Sequence, residues 1–164
     1  MQVAIMADLH DNIVNWRKIN NLLKQNKINQ LIIAGDICTV KTLDKIAKEY
    51  IGDLYIIFGN MDTDIESMKM LASKYAQIKE YDFHAQIKID DKTFYVSHQI
   101  EEVMALSEKD DNYKILCYGH THEIKELRQD NYLLINPGSA GGVFSTPSLA
   151  VYDTKQDQVK FYNL

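Results

Sequence analysis

Hydrophobic and polar positions alternate in a repeating order through the first half of the chain. "QVAIMA" is a short apolar run that stops at Asp8, and the segment after it, "NIVNWRKINNLLKQN", spaces Ile13, Trp16, Ile19, Leu22 and Leu23 at three- and four-residue intervals. The pattern predicts a strand followed by an amphipathic helix, with Asp11 or Asn12 available as its N-cap. "QLIIAGD" and "TLDKIAKEY" repeat the strand and the helix, and "DLYIIFGNMD" with "IESMKMLASKYA" repeat them again. Three βα units in a row predict parallel strands flanked by helices.

After about residue 78 the period changes. "FHAQIKIDDKTFYVSH" alternates apolar and polar residues around an Asp90-Asp91 turn and predicts an antiparallel hairpin. "EEVMALSEK" is the last substantial helix expected. "KILCYGH", "EIKELRQDNYLLINPG" and "SLAVYDTKQDQVKFYNL" supply further strands, with turns at 129–131 and 155–157. No internal repeat, linker or low-complexity stretch interrupts the pattern. The 164 residues therefore read as one α/β domain over 1–164, with a sheet-rich second half. A chain of that length can bury roughly two thirds of its unfolded surface.

Composition changes this picture little: 46% hydrophobic and 25% charged residues exclude a disordered or fibrous chain. A formal charge of −5 argues against a general nucleic-acid binder, which normally carries a basic patch. An anionic substrate would need a local positive centre. The two cysteines, Cys38 and Cys117, have neither the number nor the spacing of a disulfide framework, which suits a reducing compartment. "MQVAIMADLH" lacks a basic leader, and Asp8 breaks its apolar run far short of the ~20 residues of a membrane span. A cytoplasmic protein without a membrane partner is expected. Exposed strands in the second half could support a homo-oligomer.

The chemistry lies at the polar ends of the strands, where backbone pairing stops and side chains of an α/β sheet can converge. Five strand ends carry metal-ligand residue types: Asp8 and His10 in "ADLHDN", Asp36 in "AGDI", Asn60 in "FGNMD", His98 in "VSH", and His120 with His122 in "YGHTH". Singly each is ordinary. An aspartate after a strand is usually a turn former or cap, "GN" is usually a turn, and the remaining histidine, His84, reads as a structural residue of its hairpin strand. Their recurrence at the same end of successive strands is what a coincidence of turns does not explain.

Oxygen and imidazole donors suit divalent Mn, Fe, Ni or Zn. Seven ligands exceed the needs of one ion that keeps room for water, so two ions about 3.5–4 Å apart and sharing a carboxylate fit better. In an extended "HTH", alternate side chains share a side, so His120 and His122 can face the same site. A Cys38 thiolate could add a ligand, but the set is complete without it. Cys117 reads as a small buried hydrophobe.

At these residues the sequence resembles the calcineurin-like metallophosphoesterases, and among them the small bacterial and archaeal phosphodiesterases related to the retromer scaffolding subunit. The blocks "DLH", "GD", "GNMD", "SH", "GHTH" and "NPGS" occur in the family's order over nearly the whole chain. The resemblance implies a four-layer αββα sandwich, with parallel βα units in the first half and mainly antiparallel strands in the second. It also implies a dinuclear site in which Asp8, His10, Asp36 and His122 hold one ion, Asp36, Asn60, His98 and His120 hold the other, and Asp36 bridges. The implied reaction is hydrolysis of a small phosphoester by a hydroxide bridging the two ions, with Asp36, Asn60, Asp62 and His98 as the catalytic residues.

Two departures from the family pattern shape the expectation. Many members have a histidine directly after "GN" that is proposed to protonate the leaving group, whereas Met61 stands here and donates no proton. Asp62, a water or no acid at all must serve, so substrates with good leaving groups are expected. Gln99 replaces a glycine common after the ligand histidine and is expected to narrow the pocket. "NPGSAGG" reads either as a tight turn between strands or as backbone approaching the site. The competing function is a non-catalytic metal-binding scaffold of the same fold.

Overall fold

Each early strand of the protein runs into a capped helix, as its apolar spacing requires. A computed structural model describes residues 1–164. Strand β1 (Gln2–Met6) leads to α1 (Ile13–Gln25), β2 (Gln30–Ala34) to α2 (Val40–Glu49), and β3 (Asp53–Ile57) to α3 (Ile65–Ala72). The side chains of Asn12, Thr39 and Asp64 accept the backbone N–H of the third residue onward and cap the three helices. Of the two N-cap candidates for α1, the structure selects Asn12; Asp11 instead accepts the hydroxyls of Thr39 and Thr42 at 2.7 and 2.5 Å and ties the first loop to α2.

The chain continues through β4 (Ile78–Glu80), the hairpin of β5 (His84–Ile89) and β6 (Lys92–Ser97), and α4 (Ile100–Ser107). The strands β7 (Lys114–Cys117), β8 (Ile124–Arg128), β9 (Tyr132–Pro137), β10 (Ser148–Asp153) and β11 (Gln158–Asn163) follow. They form two sheets. One has the order β11-β10-β1-β2-β3-β4 and the other β5-β6-β7-β9-β8. β1 to β4 are mutually parallel, and most pairings of the later strands are antiparallel, with β6-β7 and β7-β9 the parallel ones.

Strand alternation divides the core into three layers. On β1 to β3, Ala4, Met6, Leu31, Ile33, Leu54 and Ile56 face Trp16, Ile19, Leu43 and Met68 of the helices. Val3, Ile5, Ile32, Ala34, Tyr55 and Ile57 point the other way and meet Phe94, Val96, Ile115 and Ile135 of the second sheet. Tyr95, Leu116 and Leu134 emerge on the far face and are covered by Val103 of α4. The result is helices, sheet, sheet and helix in that order, the expected four-layer sandwich. No helix is long and apolar enough to cross a membrane.

Two local departures have one cause. The helix expected over 65–76 stops at Ala72, and Lys74 and Tyr75 turn with tighter bonds to Leu71 and Ala72. That turn brings Ile78–Glu80 alongside Leu54–Ile56 as an additional parallel strand. Three residues are too few to show a period, so β4 exists through its partner and not through its own pattern.

Candidate metal centre

The carboxyl ends of β1, β2, β6 and β7 deliver their polar residues to one cleft. Asp8 Oδ1 lies 3.2 Å from His122 Nε2, 3.8 Å from His10 Nε2 and 3.9 Å from His98 Nε2. Asp36 Oδ2 lies 3.3 Å from His98 Nε2 and 3.8 Å from His10 Nε2. Two groups of potential metal ligands result, Asp8 with His10 and His122, and Asp8 with Asp36 and His98. Asp8 belongs to both. His120 is outside these groups but stands beside them: its ring is 5.1 Å from that of His98, and its backbone N–H donates to Asp8 Oδ2 at 3.0 Å. Asn60 is exposed at the rim, where it lines a cavity of about 200 Å³ with His98 and Gln99. A larger cavity of about 480 Å³ near Tyr95 and Asp110 holds none of these residues.

The loops reach this arrangement by adopting an uncommon backbone. Asp8, His10, Asp11, Asp36, Cys38, His120 and His122 all have positive φ, between 47° and 83°. Non-glycine residues seldom adopt this region, and its concentration around one cleft is how strained functional sites are recognised. Close approach adds a further demand: a Cβ at Gly59 would fall 2.2 Å from Asp36 Oδ1, and one at Gly119 would fall 2.8 Å from Asp8 Oδ2. The glycines before Asn60 and His120 therefore make space for the carboxylates.

Three imidazoles are oriented by their second nitrogen. His98 Nδ1 faces the Ala34 carbonyl at 2.8 Å, His122 Nδ1 the Val143 carbonyl at 3.0 Å, and His10 Nδ1 the Cys38 sulfur at 3.4 Å. A proton on Nδ1 directed at the carbonyl leaves the Nε2 lone pair of His98 and His122 facing the carboxylates, as metal-binding histidines require.

The charges are correspondingly perturbed. Burial raises the Asp8 pKa, and the His98 and His122 imidazoles oppose this only in part. At Asp36 burial acts in the same direction, but His98 and the Met61 N–H outweigh it and the pKa is lowered. Burial pushes His98 down, yet Asp36 and the Ala34 carbonyl leave it raised. Burial, with Asp11 and Asp36 nearby, pushes the Cys38 thiol up to about 12. Cys38 is thus a neutral neighbour of His10 rather than a ready thiolate.

A model of the calcineurin-like phosphoesterase superfamily domain matches residues 1–157. The chain belongs to this superfamily. It is similar to the phosphodiesterase MJ0936 of Methanocaldococcus jannaschii, at 25% identity over 162 residues, covering 98% of this chain and 97% of the relative. Among solved structures, an archaeal phosphodiesterase superposes with a TM-score of 0.90 at 26% identity and full coverage of both chains. Vps29 of Chaetomium thermophilum superposes at 0.71 and 21% identity, covering 99% of this chain and 88% of that one, and shares the fold.

As a calcineurin-like phosphoesterase the protein is a hydrolase of phosphoester bonds, a family chemistry that implies divalent metal ions. The donor set fits such ions. Asp8 Oδ1 and His98 Nε2 are buried and make no hydrogen bond, and the 3.3 Å approach of His98 to Asp36 is an ionic contact without hydrogen-bond alignment. Buried polar atoms in native proteins are nearly always partnered, so orphaned ones at a convergence of carboxylates and imidazoles suit a cation.

The structure gives Asp62 a different setting from that of a free acid. Its Oδ2 accepts the N–H groups of Asp36 and Gly59 at 3.1 and 2.7 Å, and its Oδ1 accepts that of Cys38 at 2.7 Å. Both oxygens clamp the β2 and β3 loops together. Met61 is 47% exposed, and its N–H donates to Asp36 Oδ1 at 2.8 Å.

Sequence reasoning missed the supports in "NPGSAGG". Asn136 donates to the Gly119 carbonyl and the Thr121 hydroxyl, holding the "GHTH" loop. Ser139 donates to the Asp8 carbonyl, and its hydroxyl accepts from Gly142 and Val143. Asn12 and Asn15 both donate to the Gly141 carbonyl. The motif is a strap that fixes the loops carrying Asp8 and the "GHTH" residues. Asn136 is the penultimate residue of β9 and Ser139 lies just beyond the strand, and nothing in their local pattern announces these distant partners.

Proposed function

We propose that the protein is a phosphodiesterase whose reaction centre is the cleft between Asp8, Asp36 and His98. The observation that carries this reading is the pair of buried, unpartnered atoms, Asp8 Oδ1 and His98 Nε2, 3.9 Å apart. Residues whose only role is structural would satisfy each other, whereas these atoms face a gap that bound cations would fill. In this reading Asp8, His10, Asp36 and His122 hold one divalent ion, and Asp36, Asn60, His98 and His120 a second. When bound, the two ions would neutralise the phosphoryl oxygens and lower the pKa of a water to make a nucleophile at neutral pH.

The chain's own residues account for the remainder. The fixed Nδ1 contacts of His98 and His122 hold both rings ready, so little reorganisation accompanies substrate binding. Asp62 positions Asp36 and Asn60 by gripping the backbone beside each. With methionine at position 61, no side chain is placed to protonate the departing oxygen. A water that has lost a proton to solvent forms the new P–O bond as the ester P–O bond breaks, and the leaving group departs as an anion. Stable anions such as aryl oxides leave best.

The test is hydrolysis of a chromogenic diester, bis(4-nitrophenyl) phosphate, by the protein supplied with Mn²⁺ or Ni²⁺. Turnover is expected to exceed that of an Asp36→Asn, His98→Ala double variant. Equal rates would favour the metal-binding scaffold instead.

A further inference from the structure

Two aromatic side chains flank the ligand cluster and belong to no hydrophobic core layer. Phe144 is 98% exposed, yet its ring stacks on His122 with centroids 6.0 Å apart and planes only 23° from parallel. Its backbone φ is +61°, a costly conformation for a bulky side chain. On the side of the second ligand group, Phe83 is 49% exposed and lines the 200 Å³ cavity with Asn60, His98 and Gln99.

At or next to each aromatic position the backbone is bonded to a proposed ligand histidine or its neighbour. His122 Nδ1 contacts the carbonyl of Val143, the residue before Phe144. The hydroxyl of Ser97, the residue before His98, donates to the Phe83 carbonyl at 3.2 Å. A ring thus stands beside each half of the site, one over His122 and one in the wall of the cavity that His98 lines.

A phosphomonoester has one organic arm and a phosphodiester has two. We propose that Phe144 and Phe83 are stacking platforms for the two arms of the substrate, and that the substrate is a phosphodiester whose arms carry flat aromatic rings. Phenylalanine faces read a ring without reading its edge, so they select flatness and not one particular base. The absence of a proton donor at Met61 fits the same substrate class when the leaving arm is an aryl oxide. This inference rests on the phosphodiesterase reading and narrows it.

The test holds the leaving group constant. Rates are compared for 4-nitrophenyl phosphodiesters whose other arm is methyl, phenyl or thymidine-5′, using the Mn²⁺-loaded protein, Phe144→Ala, Phe83→Ala, the double alanine variant, and Phe144→Tyr with Phe83→Tyr. The wild type is expected to favour ring-bearing esters over the methyl ester by about tenfold in kcat/KM. The double alanine variant should lose at least about tenfold more on ring-bearing esters than on the methyl ester, and the tyrosine variants should keep the preference. Preference for the thymidine arm would identify a nucleotide source and preference for phenyl alone an aryl source, both supporting the shared chemistry.

A second readout needs no turnover. Saturation transfer in the Zn²⁺-loaded protein should reach the ring protons of diphenylphosphinate far more strongly than the methyl protons of dimethylphosphinate, and the double alanine variant should abolish the difference. A wild type indifferent to the ring, or a double variant whose rates fall in parallel on all three esters, would overturn the platforms. Absence of metal-dependent hydrolysis of even the methyl ester would instead overturn the phosphodiesterase reading itself.

Discussion

His98 Nε2 lies 3.3 Å from Asp36 Oδ2 while its Nδ1 is held 2.8 Å from the Ala34 carbonyl. In the metal-free protein this geometry favours a charged pair, with His98 raised above its usual 6.5 and Asp36 lowered below its usual 3.8. A metal ion needs the same imidazole unprotonated. A metal ion bound there would therefore compete with the proton for one nitrogen.

The competition fixes a pH dependence. His98, whose folded pKa is raised, contributes stability that is complete below pH 6.5 and is lost as pH rises through the folded value. Asp36, whose folded pKa is lowered, contributes stability that is present above 3.8 and is lost as pH falls through its folded value. Asp8, raised by burial, costs stability as pH rises past 3.8. The melting temperature in chelator should thus decline from mildly acidic towards alkaline pH, and the stabilisation given by Mn²⁺ should grow over the same range. Thermal melts at stepped pH, with and without metal, check both trends. A metal-free Tm that climbs through neutrality would contradict them.

Asp8→Asn separates function from stability. Replacing a buried carboxylate whose Oδ1 has no hydrogen-bond partner, while keeping an amide oxygen to accept the His120 N–H, should leave the metal-free protein at least as stable as wild type, and the gain in Tm on adding Mn²⁺ should shrink or disappear. Activity should fall by more than about 100-fold, beyond the usual effect of removing an outer partner of a metal ligand. Melting curves and kcat/KM on the aryl diester test the two halves independently.

Gly59→Ala places a methyl group 2.2 Å from Asp36 Oδ1 and 2.9 Å from His98 Cγ. Overpacking of this kind costs about 1–3 kcal/mol. The displaced groups are the proposed ligands themselves, so metal affinity by calorimetry should suffer more than the denaturation midpoint does. Equal metal binding in the variant would show that the close approach is not required.

Met61 and Asp62 divide the question of the leaving group. Wild type should hydrolyse aryl diesters far faster than alkyl diesters, and Met61→His should raise the alkyl rate with little change in the aryl rate. Asp62→Asn replaces a carboxylate that accepts three backbone N–H groups and should lower stability by about 2–4 kcal/mol. Its activity loss should be similar for aryl and alkyl esters, as expected of a positioning residue. A selective loss on alkyl esters would restore Asp62 as the acid.

The strand and helix order was legible because each early element carries its own period: alternation separates Ala4 and Met6 from Val3 and Ile5, and the helix caps stand beside the first apolar positions. β4 was not, since its three residues owe their conformation to β3. The polar strand ends singled out Asp8, His10, Asp36, His98 and His122, and the fold brings these side chains into one cleft. The support from Asn136 and Ser139 was hidden, because a buried side chain bonding a distant carbonyl leaves no local pattern. Positive φ at Asp8 and His122 was not legible either: aspartate and histidine tolerate this region better than most side chains, but tertiary contacts decide where they adopt it.

The most direct measurement is metal stoichiometry. Protein dialysed against Mn²⁺ or Zn²⁺ and analysed by atomic emission should hold two ions per chain, with a marked loss in Asp8→Asn, whose side chain borders both ligand groups. A wild-type chain that retains no metal after loading, or retains the same amount when Asp8 is replaced, would contradict the account.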